Sequence, residues 1–300
     1  MSNWNFFRLR MNINGEVDPT TTPTDEDYMQ WENVTSPTTV NIDSFMGSSN
    51  ISNGEAQLWV SPNEDKISFL DSVEQKIRIA NFNTSGDISQ GFTLQNTSAT
   101  LPAYFRNHIY NPAGTKVFGL IQSGFASSVI NFSEYSLSTA FDASTISSTV
   151  TTKIDLNSND STFSATFNSD GTKLIIIFFD DSDNDINKFL VYNLSTAYTL
   201  STADSGTLYT SGLSTQGYIF NFEKGGNEYL LGRANAQNFV YYNGYTNSDR
   251  VNLYSNSSND LDNVKFALDR DKIYGSYNTF TGTFPNLDYT YYLQKYDYSV

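Results

Sequence analysis

The sequence predicts an all-β fold, a β-propeller of five four-stranded blades that is closed by an N-terminal strand and preceded by an extended N-terminal arm. Aromatic residues make up 15% of the 300 residues, with 20 Tyr and 22 Phe, and aromatic side chains favour strands over helices. A polar turn followed by an apolar strand also recurs about every 44 to 57 residues, which suits a four-stranded repeating unit.

Composition and charge exclude several classes of function. The chain has no Cys, which excludes disulfides, thiol catalysis, thiolate zinc sites and iron–sulfur clusters. Its net charge of −15 argues against binding nucleic acid, because a phosphate backbone is bound by clustered Lys and Arg. No stretch approaches the ~20 apolar residues of a membrane span, and the first ten residues lack the apolar run of a secretion signal. We expect no membrane insertion.

The repeated turn is clearest in residues 111–118, NPAGTKVF, and in residues 168–175, NSDGTKLI. Weaker copies are found at residues 61–67, 223–229 and 268–274. Each copy predicts a first strand before the turn, a second strand after it, a third strand of alternating apolar residues and a polar fourth strand. The predicted first strands are 57–61, 108–111, 163–168, 218–222 and 264–268, and the third strands are 76–82, 129–135, 188–192, 238–242 and 291–296.

No fourth strand is predicted for the fifth copy, because only residues 297–300 follow its predicted third strand. Residues 38–45, TTVNIDSF, resemble residues 151–156, TTKIDL, which form the predicted fourth strand of the second copy. We therefore expect residues 38–45 to complete the fifth blade and to cover an edge that would otherwise invite aggregation. The propeller is predicted to span residues 37–300, with blades from about residue 55.

Residues 1–36 are predicted to lie outside the propeller as an arm and a tether. Residues 18–25, DPTTTPTD, are polar and interrupted by proline, as in a linker. Ahead of them the sequence concentrates aromatic and basic residues, which predict an anchoring site for another protein: Trp4, Phe6, Phe7, Arg8 and Arg10. The alternative is that this arm folds back on its own propeller.

Two further strings, residues 135–145, YSLSTAFDAST, and residues 192–203, YNLSTAYTLSTA, follow the two clear turns. Together with those turns they resemble a propeller repeat of bacteriophage virion and tail-associated proteins, over about residues 105 to 205. The resemblance implies a structural or host-contact role in a virion. These motifs contain turn and strand residues and no catalytic group, so they specify a fold.

Candidate ligand sites are few. The acidic run at residues 180–185 has the alternating carboxylates of a calcium loop, with Asp181, Asp183 and Asp185 as candidate ligands. It departs from the EF-hand pattern, because Ile186 occupies the glycine position and Tyr192 the position of the bidentate Glu. The alternative is a solvated hairpin tip, and no other cofactor is expected.

Exposed aromatic residues also allow glycan binding, for which Tyr241, Tyr242 and Tyr245 are the candidates. Tyrosines in strands also fill the space between blades, which is the structural alternative. The lone His108 lacks a recognisable catalytic partner and is expected to be structural.

A metal-assisted hydrolase would use carboxylates and Asn side chains near the first strands. The candidate ligands do not occupy equivalent positions in the different copies of the repeat, which weakens this alternative. They are Asn107, Asn168, Asn221 and Asp269.

The leading functional hypothesis is a non-enzymatic phage virion protein, associated with the tail or the capsid. Its arm would bind other virion proteins, and its propeller would serve assembly or contact a host receptor or glycan. We expect several copies per particle, assembled in the host cytoplasm. The alternatives are a glycan-binding, lectin-like propeller and the metal-assisted hydrolase.

Overall fold

The structure is a computed structural model, and it describes most of the first 210 residues and the strands beyond them. The described ranges are 38–46, 57–61, 63–71, 74–101, 104–122, 129–157, 161–168, 170–180, 186–210, 221–222, 228–232, 238–243, 250–255, 263–266, 272–283 and 286–297. The predicted arm, residues 1–36, lies outside these ranges.

The described strands form five four-stranded antiparallel sheets. Sheet 1 contains β2 (Gln57–Val60), β3 (Lys66–Asp71), β4 (Lys76–Phe82) and β5 (Phe92–Thr97). Sheet 2 contains β6 (Tyr104–Tyr110), β7 (Lys116–Gln122), β8 (Val129–Ser136) and β9 (Thr152–Asn157). Sheet 3 contains β10 (Ser161–Phe167), β11 (Lys173–Asp180), β12 (Ile186–Asn193) and β13 (Thr207–Thr210).

The last two sheets follow in chain order, except for one strand. Sheet 4 contains β14 (Asn221–Phe222), β15 (Glu228–Gly232), β16 (Asn238–Asn243) and β17 (Arg250–Ser255). Sheet 5 has the order β1 (Thr38–Asn41), β20 (Asn286–Asp297), β19 (Lys272–Thr283) and β18 (Asn263–Phe266). The predicted all-β fold of four-stranded antiparallel sheets is confirmed.

Helical structure in the described residues is limited to single turns. Helix α1 (Asp43–Met46) follows β1, and three 3₁₀ turns follow the third strands of sheets 1, 2 and 3: Ile88–Gln90, Ala143–Thr145 and Leu200–Thr202. Each 3₁₀ turn also contacts the sheet before it. The first contacts β1 and β20, the second contacts β4 and β5, and the third contacts β9.

The N-terminal strand is shorter than residues 38–45, and the predicted strand beyond Asn41 is wrong. The side chain of Asn41 accepts a hydrogen bond from the backbone N–H of Asp43 at 2.8 Å, and the N–H of Phe45 donates to the carbonyl of Ile42 at 2.8 Å. These local bonds turn the backbone into α1. Ile42 is fully buried as a result.

The first strands of the five sheets contact one another in sequence. Strand β2 contacts β6, β6 contacts β10, β10 contacts β14, β14 contacts β18, and β18 contacts β2. The second strands carry the core: in β11, Leu174, Ile175 and Ile176 are all fully buried, as the continuous apolar run predicts. The outer strand β5 exposes Leu94.

The buried apolar side chains form two clusters. The larger one joins sheets 1, 2 and 3 and is rich in aromatic rings, including Trp59, Phe105, Phe118 and Tyr135. The smaller one joins sheets 5 and 1 and includes Ile42 from the N-terminal segment. Packing between sheets therefore supplies most of the described core.

Candidate functional site: the junctions between sheets

The repeated turn between the first and second strands is held by an Asn side chain. In sheet 2, Asn111 Oδ1 accepts the N–H of Lys116 at 2.9 Å, and in sheet 3 Asn168 Oδ1 accepts the N–H of Lys173 at 2.8 Å. Such Asn side chains stabilise turns by bonding to the nearby backbone. This hydrogen bond explains the Asn at the start of the repeat, and it makes Asn168 a turn residue.

An aromatic residue from the loop after the third strand closes over this turn. Phe141 N–H donates to the carbonyl of Gly114 at 2.9 Å in sheet 2, and Tyr198 N–H donates to the carbonyl of Gly171 at 2.9 Å in sheet 3. Both aromatic residues have positive φ, at 54° and 52°. A side chain on either glycine would collide with the aromatic ring, so the ring can occupy this place only above a glycine.

Sheet 1 has the same backbone arrangement with the residue types exchanged. The N–H of Gly86 donates to the carbonyl of Glu64 at 3.0 Å, which places Gly86 where Phe141 lies and Glu64 where Gly114 lies. Glu64 has a φ of 55°. Because Gly86 carries no ring, the Cβ of Glu64 has room in this copy, and the missing glycine of the repeat is explained.

The preceding sheet binds this aromatic loop through two backbone groups. At the junction of sheets 1 and 2, the side chain of Asn96 in β5 donates Nδ2–H to the carbonyl of Phe141 at 3.1 Å. Its Oδ1 accepts the N–H of Ala143 at 2.9 Å. Ala143 begins a 3₁₀ turn, and the first N–H groups of a helix have no acceptor within the helix. Asn96 therefore supplies the missing acceptor from the neighbouring sheet.

At the junction of sheets 2 and 3, two charged side chains bind the corresponding groups. Lys116 Nζ donates to the carbonyl of Tyr198 at 2.8 Å, and Glu134 Oε2 accepts the N–H of Leu200 at 3.0 Å. The two side chains also form an ion pair of 2.8 Å. Glu134 has a side-chain exposure of only 4%, so these partners replace the water that a carboxylate loses on burial.

Lys116 also donates to the hydroxyl of Thr199 at 3.3 Å. Thr199 is the N-cap of the third 3₁₀ turn and makes no side-chain cap hydrogen bond, whereas Asp87 and Asp142 cap the first two turns. Glu134 binds the N–H of Leu200, the position that Asn96 binds at Ala143 in the preceding junction, so the third turn is held from the neighbouring sheet but lacks the side-chain cap of the other two.

The junction of sheets 5 and 1 shares part of this arrangement. Lys295 Nζ in β20 donates to the carbonyl of Gly86 at 3.0 Å. Gly86 occupies in sheet 1 the place of Phe141 and Tyr198 and has positive φ as they do, so its carbonyl corresponds to theirs. Three junctions therefore bind the same carbonyl of the loop, through an amide or an ammonium group.

His108 is part of the junction between sheets 1 and 2. Its Nε2 lies 2.7 Å from the hydroxyl of Ser68 in β3, and both side chains are buried. The ring of Tyr110 lies edge-on to His108 at 6.1 Å. Burial raises the pKa of the Tyr110 phenol well above its ordinary value, so it stays protonated. The expectation that His108 is structural agrees with this packing.

Tyr198 is a second phenol at a junction, and it is half-buried. Burial, reinforced by the charge of Asp170, raises the pKa of Tyr198 to about 12. A neutral phenol suits its position against Gly171 and against the ring of Phe167, 5.2 Å away. Its role here is packing.

The predicted ligand residues are only partly described. The anchoring residues Trp4, Phe6, Phe7, Arg8 and Arg10, and the calcium candidates Asp181, Asp183 and Asp185, lie outside the described residues. Tyr241 and Tyr242 lie in β16, with Leu230 and Tyr229 as Cα partners, and Tyr245 lies outside the described residues. Of the hydrolase candidates, Asn107 is buried in β6 and Asn221 begins β14, whereas Asp269 is not described.

The described ranges hold no group of three or more His, Cys, Asp or Glu side chains arranged to bind a metal ion. Within the same ranges, no helix has the length and hydropathy needed to cross a bilayer. Several of the polar side-chain contacts of the described residues join one sheet to the next.

Sequence reasoning missed Asn96, Glu134 and Lys295 as junction residues. Lys116 was visible as the anchor of the repeat, but its partner Tyr198 is 82 positions away. The signal was the joint recurrence of the turn and the later LSTA string, which suggests that they act together.

No known protein family and no curated protein matches the chain. Solved structures with a similar arrangement of strands have low sequence identity. Hydrazine synthase from Kuenenia stuttgartiensis is 9% identical with a TM-score of 0.45, covering 77% of this chain and 70% of that one. A putative 6-phosphogluconolactonase from Bacteroides uniformis is 14% identical with a TM-score of 0.43, covering 81% and 71%.

The Dos1 propeller is 12% identical with a TM-score of 0.40, covering 81% of this chain and 54% of that one. At these identities and scores, the similarity of this chain to the three structures extends to no activity, substrate or partner.

Proposed function

We propose that the five sheets are the blades of a closed β-propeller. The proposal is supported by the contacts between first strands, which run from β2 through β6, β10 and β14 to β18 and back to β2. It is also supported by the loops of three sheets, each of which bonds to the sheet before it. Radial repetition of short sheets is how propellers protect their strand edges.

The N-terminal strand is proposed to close this ring. Strand β1 pairs with β20 over four residues, from the Thr38 and Lys295 pair to the Asn41 and Tyr292 pair. Ile42 then inserts into the apolar cluster shared by sheets 5 and 1. This arrangement joins the first and last parts of the chain in one blade, as the sequence suggested.

Within this fold we propose a non-enzymatic role in which the propeller acts as a rigid display module. The observation that carries it is that buried polar side chains bind the neighbouring sheet. Glu134 bonds to the N–H of Leu200, and Ser68 bonds to His108. Groups fixed in this way hold the blades together and make the propeller rigid.

The virion setting rests on the resemblance of the repeat to phage propeller proteins. Residues 1–36 are proposed as the arm that anchors the chain to other virion proteins, so that the propeller faces outward. A propeller held together by side-chain bonds between blades would suit such an exposed position.

The test is sedimentation of assembled particles from cells that express either the full chain or a chain without residues 1–30. A triple variant with Trp4→Ala, Phe6→Ala and Phe7→Ala keeps the full length of the arm and removes only its aromatic side chains, so it tests whether those side chains make the contact. The proposal expects both variants to keep the melting temperature of the full chain and to be absent from the particles. Undiminished incorporation of either folded variant would reject the arm as the anchor.

A further inference from the structure

The segment Thr38–Met46, called the clasp below, consists of β1 and α1. It is bound by two kinds of contact. Its backbone pairs with β20, and its apolar side chains Val40, Ile42 and Phe45 pack on the cluster between sheets 5 and 1. Ile42 has no exposed surface. The clasp is therefore held by a four-residue strand pairing and by the packing of three apolar side chains.

The site that receives the clasp is formed by later parts of the chain. The ring of Phe45 lies 6.0 Å from that of Phe69 in β3 and 5.6 Å from that of Phe92 in β5. Leu293 in β20 is fully buried in the same cluster. None of these residues belongs to the clasp, so the receiving site recognises a peptide that lies elsewhere in the sequence.

Most side chains of β1 are exposed, and β1 also contacts the 3₁₀ turn Ile88–Gln90. Thr38, Thr39 and Asn41 are exposed, and only Val40 is half-buried. Releasing the clasp therefore requires the loss of the pairing with β20, of the contact with the 3₁₀ turn and of the apolar contacts, whereas the strand pairings of the other four sheets do not involve the clasp.

We infer that the clasp can also bind the same site on a second copy of this chain. The contacts would be identical in both arrangements, because the clasp and its site are the same in every copy, and domain swapping is a low-cost route to dimers for this reason. Ten residues, 47–56, separate the clasp from β2. Fully extended, ten residues span at most about 36 Å, which limits how far the clasp of one copy can lie from its own β2.

Exchange between copies depends on concentration. The linked clasp of the same chain competes at an effective concentration of the order of millimolar. The closed monomer therefore dominates in dilute solution, and the exchanged dimer forms where copies are concentrated. This inference needs only the clasp and its site, so it stands or falls separately from the virion role.

The cysteine-free chain allows a direct test with the full-length protein. Thr39 and Gln294 are Cα partners across β1 and β20, and antiparallel partners have the Cα separation that a disulfide requires. Thr39→Cys and Gln294→Cys are made as separate variants and as a double variant. The control partner is Ser138→Cys, an exposed position in the loop that follows β8.

The first readout is crosslinking after the two single variants are mixed at about 1 mM, near the effective concentration of the linked clasp, and oxidised. Exchange predicts more covalent dimer from Thr39→Cys with Gln294→Cys than from Thr39→Cys with Ser138→Cys. Equal yields from the two mixtures would overturn the inference.

The second readout is the mass in solution of the wild type and of the oxidised double variant, whose clasp is locked in its own chain. The inference expects a dimer fraction in the wild type at about 1 mM and none in the locked variant. It is overturned if both remain monomeric, if both dimerise equally, or if the double variant fails to crosslink within one chain.

Discussion

The junction between sheets 1 and 2 and the junction between sheets 2 and 3 bind the same backbone groups with different chemistry. At the first, one neutral side chain, Asn96, binds both the carbonyl of Phe141 and the N–H of Ala143. At the second, Lys116 binds the carbonyl of Tyr198 and Glu134 binds the N–H of Leu200, and the two side chains form an ion pair. The geometry of the loop is thus retained while the residues that bind it change.

The difference also shows how the lysine of the repeat adapts. Lys66 corresponds to Lys116, but its Nζ lies 5.6 Å above the ring of Phe141 and forms an ion pair with Asp65 at 2.7 Å. Asn96 already binds the carbonyl of Phe141 at this junction, so Lys66 packs over the ring. The lysine of the repeat therefore lies between two sheets in both copies, but Lys66 contacts the ring of Phe141 where Lys116 binds the carbonyl of Tyr198.

The largest effect is expected where the glycine and the aromatic residue meet. Gly114→Ala places a side chain at a φ of 67° and against the ring of Phe141. Left-handed backbone costs about 1–2 kcal/mol and overpacking about 1–3 kcal/mol, so we expect a loss of roughly 2–5 kcal/mol in the free energy of unfolding, measured by urea titration.

The matched experiment imitates sheet 1, where Glu64 and Gly86 occupy these two positions. Adding Phe141→Gly to Gly114→Ala should cost less than the sum of the two single changes, because the ring that collides is gone. Strict additivity in this double-mutant cycle would contradict the proposed dependence of the glycine on the ring.

A somewhat smaller effect is expected for the ion pair. Glu134→Ala leaves Lys116 without its carboxylate and the N–H of Leu200 without its acceptor. Breaking a buried pair costs about 3–5 kcal/mol, and because Lys116 is 26% exposed we expect roughly 2–4 kcal/mol by urea unfolding.

Glu134→Gln is the control for this variant, because it keeps an acceptor for Leu200 and removes only the charge. It should lose less stability than Glu134→Ala. Identical losses would show that the hydrogen bond to Leu200 adds nothing to the ion pair.

The neutral junction should be less sensitive to truncation. Asn96→Ala removes one donor and one acceptor at the surface of sheet 1, and we expect a loss of about 1–2 kcal/mol in the free energy of unfolding. Gln95→Ala, an exposed change on the same strand, is the control and should be nearly neutral. A loss for Asn96→Ala that exceeds that for Glu134→Ala would reverse our ranking of the two junctions.

The smallest effect concerns pH. Asp204 accepts hydrogen bonds from the side chain and N–H of Asn193, and bonding to the Asn193 side chain is the main cause that lowers the pKa of Asp204 below its ordinary value. A carboxylate with a lowered pKa contributes stability above its unfolded pKa of 3.8 and loses it as the pH falls through the folded value.

In the Asp204→Asn variant, the free energy of unfolding should therefore decrease less steeply as the pH falls. The loop of sheet 2 has Ser147 at the corresponding position, so Ser147→Ala should leave this pH dependence unchanged. The measurement is the urea midpoint between pH 3 and 6; an unchanged acid limb in Asp204→Asn would exclude this contribution.

The sequence predicted the strands well because their signals are local. The apolar run of β11 and the turns around Gly114 and Gly171 are each contained within a few residues, where periodicity and turn chemistry act. The end of β1 was missed, since Asn41 bends the chain through its own side chain.

The junction residues were beyond such reasoning. Asn96 binds a loop 45 positions later in the chain, and Glu134 binds one 66 positions later. Both lie in strands where polar residues are ordinary, so no local pattern distinguishes them. Only the placement of one sheet beside the next gives these residues a role.

The central claim is that each loop is bound by the sheet before it, and amide hydrogen exchange measured by NMR tests it most directly. The N–H groups of Ala143 and Leu200 serve as separate reporters for the two junctions. We predict that Asn96→Ala speeds exchange at Ala143 and leaves exchange at Leu200 unchanged. Glu134→Ala should speed exchange at Leu200 and leave exchange at Ala143 unchanged. Unchanged exchange at both amides, or equal acceleration of both by either variant, would contradict the account.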